Sequence, residues 1–321
     1  MLYQFLKIWV RLAAKIFCRR IIINHPRILK IEGPVLLACN HPNSFLDAIL
    51  LDILFEKPIW SLARGDVFKN PFYSKLLTKL KILPVYRTSE GVENLETNYK
   101  TFDACKEIFR QNGIVLMFSE GKCINEWHLR PLMKGTARLA ISSWQDAVEI
   151  KVLPVGINYS SFRRFGKNIF INFGNFISKE DSNRDDADGR KNLAFNNRLQ
   201  HELQQLVYEI KATDKYQQEN KLAIQPGIIS KVLFVLPALS GFIFNAPLYI
   251  PLRFYTSTRT NITDHYDSIL TALLIFLYPF YLLLITFLLF WITCSWMSLL
   301  VLPLFPFTAW AYVQLKGQLD N

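Results

Sequence analysis

Residues 268–290 read SILTALLIFLYPFYLLLITFLLF, a run of 23 residues without a charged side chain. A helix needs about 20 apolar residues to cross the hydrocarbon layer of a bilayer, because it rises only about 1.5 Å per residue. A second uncharged run extends over residues 296–313, after a short segment bounded by Trp291 and Trp296. We interpret the two runs as a transmembrane hairpin whose tryptophans lie at the far interface.

Basic residues flank the outer ends of this hairpin, with Arg253 and Arg259 before it and Lys316 after it. The positive-inside rule therefore predicts that both ends are cytoplasmic. A third apolar stretch, residues 232–250, has Lys231 and Arg253 on its two sides and contains prolines and a glycine. A full crossing would place positive charge on both faces of the membrane, so we predict a re-entrant or in-plane segment here.

The N-terminal segment, residues 1–20, is predicted to be an amphipathic helix. Lys7, Arg11 and Lys15 follow one another at intervals of four and would lie within about 80° of one another on a helix. Large apolar side chains occupy much of the remaining surface. This pattern is typical of a helix in the headgroup layer of a membrane, with its cations toward the water. A surface helix packed on its own domain is the alternative.

The charge of the chain indicates which partner it faces. The net charge is +11, and most charged residues precede residue 220. An anionic membrane surface explains this charge together with the apolar C-terminal region. Nucleic acid is not expected as a partner, because the sequence lacks zinc-binding spacings, RNP-type aromatic motifs and basic repeats. We predict a globular domain at 21–220, on the cytoplasmic face of the membrane, and a membrane region at 228–321.

Short apolar runs alternate with helical patterns between residues 31 and 175. This alternation predicts an α/β fold with a mostly parallel sheet flanked by helices. The predicted strands are 35–39, 59–63, 82–86, 114–118, 152–158 and 169–173. The predicted helices are 45–55, 92–111, 134–147 and 190–212.

Polar side chains follow four of the predicted strands at the point where each strand ends. These are His41, Arg64, Arg87 and Glu120, the last followed by Gly121. The carboxyl ends of parallel strands meet at one edge of a sheet, where α/β proteins build their sites. We therefore expect these side chains to converge. His25, in a similar Asn-His-Pro sequence, has no aspartate after it and is expected to precede the sheet in an entry loop.

His41 and Asp47 are six residues apart, which on one continuous helix would place them about 240° from each other. We therefore expect His41 in a loop and Asp47 in the first turn of a helix capped by Asn43 or Ser44. A carboxylate on one imidazole nitrogen orients the ring as a general base. Backbone N–H groups after His41 are candidates for stabilising an oxyanion. The alternative is purely local hydrogen bonding, with Asp47 complementing the helix N-terminus. The spacing indicates no third ligand for a metal.

Several motifs, taken together and in order, resemble those of the glycerolipid acyltransferases. The first family motif is Asn-His followed, after four residues, by Asp. In this chain five residues separate His41 from Asp47. This longer interval resembles that of the subgroup related to yeast glycerol-3-phosphate/dihydroxyacetone-phosphate acyltransferases. The other matching segments are Leu83–Arg87, Phe118–Ile124, Arg130–Leu139 and Val152–Ile157. The resemblance covers roughly residues 20–175.

The resemblance implies a glycerol-3-phosphate acyltransferase-like fold for the domain at 21–220. It implies that His41, oriented by Asp47, deprotonates a hydroxyl of glycerol 3-phosphate or lysophosphatidate, which attacks acyl-CoA or acyl carrier protein without a further cofactor. The family has Thr-Arg where this chain has Lys122 and Cys123, so other cations must replace the phosphate-binding arginine. The substrate-binding residues implied are Arg64, Arg87, Glu120, Gly121, Lys122, Arg130 and Lys134.

Two other functions fit the same residues. A membrane-associated esterase or thioesterase would use the same histidine to activate water. An inactive lipid-binding protein would bind anionic membranes without turnover, and the altered third motif is the feature that favours it.

Overall fold

The computed structural model describes residues 1–86, 95–180, 188–260 and 263–320, so Arg87 lies outside the described residues. The chain divides into two compact units. The first comprises Met1–Ile8, Ile23–Asn158 and Phe170–Lys211. The second comprises Trp9–Ile22, Tyr159–Ile169 and Ala212–Asn321.

The strands form one seven-stranded sheet in the order β1-β7-β6-β2-β5-β3-β4. Strand β2 pairs in parallel with β5 and β6, and β3 pairs in parallel with β4 and β5. The predicted mostly parallel sheet flanked by helices is confirmed. The strands are β1 (Cys18–Ile23), β2 (Val35–Cys39), β3 (Ile59–Arg64), β4 (Ile82–Val85), β5 (Ile114–Phe118), β6 (Lys151–Tyr159) and β7 (Lys167–Phe173).

Helices connect and follow these strands, and four of them correspond to the helices predicted between residues 45 and 212. Their bounds are α1 (Leu2–Phe17), α2 (Ser44–Leu54), α3 (Pro71–Lys79), α4 (Leu95–Arg110), α5 (Lys134–Gln145), α6 (Asp188–Leu206), α7 (Lys215–Leu222), α8 (Ile228–Thr260), α9 (Tyr266–Thr293) and α10 (Val301–Leu315).

The centre of the sheet positions the loops that follow β2 and β5. Every residue of β2 is buried, as expected for a parallel strand covered on both faces. Leu36 and Val115 join a core cluster that also contains Phe109 and Trp144, and burying each such side chain stabilises the fold by roughly 1.5–3 kcal/mol. In the register of the two strands Cys39 lies beside Phe118. The segments that follow these two strands therefore start next to each other at one edge of the sheet.

The position expected for His25 is wrong. His25 follows β1 instead of preceding the sheet, and it is an exposed residue directly before a 3₁₀ helix, Pro26–Lys30. The sequence CRRIII of β1 carries two adjacent arginines, and only its first two residues are buried. Because of these charges the sequence pattern does not predict β1, which lies at one end of the strand order.

The second unit contains three helical segments that are long and apolar enough to cross a membrane by length and composition. They are Ile228–Thr260, Tyr266–Thr293 and Trp296–Leu315. The last two correspond to the predicted hairpin. Residues 232–250 lie inside the continuous helix α8, which contains three internal prolines. That this stretch lies in the membrane plane stays a prediction.

Helix α1 has the predicted helical structure, but its cations do not share one environment. Arg11 and Lys15 are exposed, whereas Lys7 is buried. The Lys7 ammonium lies 3.6 Å from the Asp52 carboxylate and donates to the backbone oxygen of Lys57 at 3.3 Å. The expectation that all three cations face water is therefore wrong for Lys7. Large apolar side chains of α1 are exposed, namely Leu2, Phe5, Ile8 and Leu12.

Candidate active site

The loop after β2 is fastened to the neighbouring strand β6 by the side chain of Asn40. The Asn40 amide donates to the backbone oxygen of Ile157 at 3.0 Å and accepts from its backbone N–H at 2.7 Å. Asn40 is buried, so these two bonds satisfy both ends of an amide that has little access to water. The next residue, His41, thus starts from a fixed backbone position.

His41 and Asp47 are in direct contact. Nδ1 of His41 lies 2.9 Å from Oδ2 of Asp47, whose side chain is 0% exposed. Helix α2 begins at Ser44, so Asp47 occupies its first turn and reaches back toward the loop, as the spacing predicts. The same carboxylate oxygen accepts the backbone N–H of Asn43 at 2.8 Å. The carboxylate therefore supports both the imidazole and the start of the helix.

This contact determines which imidazole nitrogen can act as a base. An ionised carboxylate only accepts hydrogen bonds, so Nδ1 of His41 must donate to Asp47. In the neutral ring the lone pair is then on Nε2. The ring stacks on Phe118, with the centroids 3.8 Å apart and the planes 11° from parallel, and the side chain keeps 18% exposure. The imidazole is therefore oriented on two sides and still partly accessible.

Glu120 joins the loop after β2 to the segment after β5. Its carboxylate accepts the backbone N–H of His41 at 2.6 Å and that of Arg130 at 2.9 Å, and the residue is 4% exposed. Burial raises the pKa of Glu120, although the two backbone hydrogen bonds act in the opposite direction. Glu120 therefore positions the backbone of His41 and that of the basic residue Arg130. That Glu120 also binds substrate, as the motif resemblance implies, stays a prediction.

The first two backbone N–H groups after His41, which are among those expected to stabilise an oxyanion, are already engaged. Pro42 has no N–H, Asn43 donates to Asp47, and Ser44 donates to the Cys123 sulfur at 2.8 Å. Ser44 adopts a positive φ of 50°, which a residue with a side chain rarely takes. These two N–H groups would have to leave their partners before they could bind an oxyanion.

The segment after β5 packs along the histidine loop. Ile124 donates its backbone N–H to the oxygen of His41 at 3.3 Å, and the Asn125 amide donates to the oxygen of Pro42 at 2.7 Å. Gly121 has a φ of +64°, and a Cβ at this position would lie 2.9 Å from Cγ of Met133. Glycine is therefore required here by both backbone conformation and space.

Comparison with known proteins assigns the segment that contains this site. Residues 20–158 match the family model described as Acyltransferase. This segment belongs to the acyltransferase family. It includes His41, Asp47 and Glu120, and the prediction of an acyltransferase is confirmed.

The other comparisons add less. No curated protein matches the chain. Among solved structures, the crystal structure of the 1-acyl-sn-glycerophosphate (LPA) acyltransferase PlsC from Thermotoga maritima matches with a TM-score of 0.43 and 11% identity, over 58% of this chain and 70% of that chain.

The cations predicted to bind substrate in the acyltransferase segment lie in different environments. Lys122 is exposed beside Gly121, and Lys134 is exposed at the start of α5. The Arg130 guanidinium lies 3.2 Å from the Glu126 carboxylate, while its backbone N–H reaches Glu120. Exposed Arg64 ends β3 and pairs with Asp66 at 2.8 Å, as an ordinary surface arginine does. These contacts do not place the four side chains in one pocket.

Residues that the sequence interpretation missed support the acyltransferase dyad from outside. They are Asn40, Phe118, Cys123 and Asn125, which contact the histidine loop or the start of α2. Asn40 could have been found, because it is the residue directly before His41 at the end of a buried strand. Cys123 and Asn125 depend on how the segment after β5 folds back, which no local pattern indicates. Phe118 depends on the register between β2 and β5.

Proposed function

We propose that the chain is a membrane-bound glycerolipid acyltransferase. It moves a fatty acyl group from acyl-CoA or acyl carrier protein to a hydroxyl of glycerol 3-phosphate or lysophosphatidate, in phospholipid synthesis. The observation that carries the proposal is the 2.9 Å contact between His41 and Asp47 inside a segment of the acyltransferase family. The motif resemblance supports the glycerolipid acceptor, and three long apolar helices support membrane attachment.

In the proposed reaction, Nε2 of His41 removes the proton from the acceptor hydroxyl as its oxygen attacks the thioester carbonyl. The tetrahedral intermediate then expels the thiolate, which takes the proton from the imidazolium. Asp47 stabilises the positive ring that exists between these two steps. General acid–base catalysis of this kind contributes on the order of 10²–10⁴ in rate. No acyl-enzyme and no cofactor are needed.

The acceptor phosphate needs cations close to the dyad. Among the described residues, Lys122 and Arg130 are the best-supported candidates for binding the phosphate. Both belong to the segment after β5, which bonds to Glu120 through the Arg130 backbone and packs along the histidine loop. Arg87 and Lys134 are supported by the motif resemblance alone, and Arg64 least, since it already pairs with Asp66. A lysine binds phosphate as a point charge and lacks the planar fork of arginine.

We also propose that the acyltransferase segment faces the cytoplasm. Arg253 and Arg259, before α9, and Lys316, after α10, support this orientation through the positive-inside rule. The chain would then make a lipid product at the membrane surface to which it is attached.

A panel of acceptors tests the proposed reaction. Purified full-length protein in lipid vesicles receives labelled acyl-CoA or acyl carrier protein, together with glycerol 3-phosphate, lysophosphatidate or no acceptor. Products are identified by mass. We expect an acylated phosphate-bearing product that forms only when an acceptor is present. Release of free fatty acid at the same rate without acceptor would show a thioesterase, and absence of turnover with every pair would favour a lipid-binding protein.

A further inference from the structure

The second unit contains a half-open apolar cavity of about 350 Å³. Its wall is formed by the part of α1 from Trp9 onward, by Phe165, and by α8, α9 and α10. Most of the lining is hydrocarbon, including Leu12, Ile16, Leu248, Leu274, Leu302 and Val313. A volume in this range is at the lower end of what small-molecule sites offer.

Three polar side chains in the wall of this cavity are bonded to the protein itself. The Tyr278 hydroxyl donates to the Asn245 side-chain oxygen at 2.9 Å, and the Asn245 amide donates to the oxygen of Gly241 at 2.8 Å. The Trp9 indole N–H donates to the oxygen of Ile275 at 3.3 Å. Because these groups are engaged, the cavity suits an occupant that is itself hydrocarbon.

Cations lie at one end of the cavity. The Lys316 ammonium is 5.9 Å from the ring centroid of Tyr249 and 5.6 Å from that of Tyr312, and both rings line the cavity. Arg164 is next to it, since a Cβ on Gly317 would lie 2.6 Å from Nη1 of Arg164. The apolar space therefore ends at two positively charged groups.

The charges that act on Lys316 are mostly positive. The pKa of Lys316 is lowered to about 8, mainly by burial and additionally by the charges of Arg164, Lys167 and Arg253. Among the described residues, the carboxylate that opposes this field at Lys316 is that of Asp267. Asp267 already contacts the Lys167 ammonium. The charges acting on Lys316 are thus three cations and one carboxylate, and an anion placed beside Lys316 would be stabilised.

We propose that this cavity holds one acyl chain of an anionic phospholipid, whose phosphate binds Lys316, Arg164 and Arg253. The chain positions agree with such a lipid. Arg253 is near the C-terminal end of α8, Asp267 is in the first turn of α9, and Lys316 directly follows α10. Three apolar segments joined in this order bring these ends to one side of the membrane, at headgroup level. Free phosphate would use the cations but would leave the hydrocarbon cavity empty.

The site lies in the second unit and does not require acyl transfer. A bound lipid would fill the cavity between helices and neutralise the cation cluster. The proposal therefore concerns a resident lipid, not the acceptor of the reaction proposed above.

Native mass spectrometry of the full-length protein in detergent tests this site. The protein is titrated with phosphatidylglycerol and, separately, with zwitterionic phosphatidylcholine of the same chains. We expect one phosphatidylglycerol to bind at least about tenfold more tightly than phosphatidylcholine. Lys316→Gln should weaken phosphatidylglycerol binding by roughly tenfold, as expected for the loss of one charge-assisted contact. Arg259→Gln is the matched control, because Arg259 is an exposed cation of α8 that lies over Tyr255.

A second variant tests the cavity independently of the charge. Ala246, which lines the cavity, is replaced by Phe to fill it while every cation is kept. We expect Ala246→Phe to lose the tightly bound lipid. His41→Ala should bind phosphatidylglycerol as the unaltered protein does, so that a failure of the proposed reaction does not affect this result.

Three results would overturn the proposal. They are equal affinity of the unaltered protein for the two lipids, unaltered binding in both Lys316→Gln and Ala246→Phe, and displacement of phosphatidylglycerol by millimolar inorganic phosphate. The last would show a free-anion site. Thermal unfolding checks that each variant is folded. If a variant is not folded, the lipid comparison and the phosphate competition on the unaltered protein decide the question.

Discussion

Three neighbours of different kinds hold His41 in place. Asp47 binds its Nδ1, Phe118 stacks on its ring, and Glu120 accepts its backbone N–H. A side chain fixed in this way loses little further freedom when substrate binds, which is how enzymes lower the entropic part of a barrier. The dyad is therefore organised before any ligand arrives.

Glu120→Gln tests the role of Glu120 at the residue scale. Glutamine has one acceptor oxygen and an NH₂ group, so one of the two backbone N–H groups would lose its partner. We expect a loss of about 1–3 kcal/mol in the free energy of unfolding, and a fall in kcat larger than the change in KM. Denaturant unfolding and steady-state kinetics measure both.

Glu126→Gln is the control for that variant. Glu126 is half-exposed and pairs with the Arg130 guanidinium, so its loss should change the free energy of unfolding by no more than about 0.5 kcal/mol. If Glu120→Gln behaves like Glu126→Gln in stability and kcat, Glu120 does not position the histidine loop.

The dyad could be predicted from the sequence because its two residues lie on one short segment. The interval between His41 and Asp47, with Pro42 between them, leaves few backbone arrangements. The engagement of the Ser44 N–H by Cys123 could not be predicted, because it depends on a loop 79 residues away. For the same reason the sequence does not show that these expected oxyanion donors already have partners.

At the scale of elements, the parallel register of β2 and β5 places the two loops of the site together. Buried runs such as Val35–Cys39 and Ile114–Phe118 predict these strands directly, because parallel strands covered on both faces are continuously apolar. Strand β1 was missed because Arg19 and Arg20 interrupt its apolar pattern. Helix α1 was predicted, but its rotation relative to the fold was not, because charge spacing does not show which side is covered.

Lys7 and Lys15 form a matched pair that tests this view of α1. Lys7 is buried against Asp52 and the backbone oxygen of Lys57, whereas Lys15 is exposed. Lys7→Met leaves Asp52 without this cation, and we expect it to destabilise the protein by about 1–3 kcal/mol. Lys15→Met should change stability by less than about 0.5 kcal/mol. Thermal unfolding in detergent measures both, and equal effects would show that Lys7 is not packed as described.

At the scale of the whole molecule, the distribution of charge and apolar residues predicts two parts of different character. A basic N-terminal part and an apolar C-terminal part follow from the sequence, and the structure describes three helical segments suited to a membrane. The cavity and its cations could not be predicted in this way. Lys316 follows α10 and Arg164 lies between β6 and β7, 152 positions apart in the sequence, so only tertiary packing brings them together.

Cys294 tests the proposed orientation. Cys294 is exposed and directly follows α9, at the end of this helix opposite to Tyr266. If both outer ends of the hairpin are cytoplasmic, a membrane-impermeant maleimide should label Cys294 in intact cells. Cys294→Ser should remove this labelling. Labelling that appears only after the membrane is permeabilised would place the turn on the cytoplasmic side and contradict the orientation.

The contact between His41 and Asp47 is tested most directly by acyl transfer from labelled acyl-CoA to a phosphate-bearing glycerol acceptor in membranes containing His41→Ala, Asp47→Asn or the unaltered protein. We expect kcat to fall on the order of 10²–10⁴-fold in both variants, with membrane association and thermal unfolding unchanged in His41→Ala. Acyl transfer by His41→Ala at the rate of the unaltered protein would contradict the proposed role of the dyad.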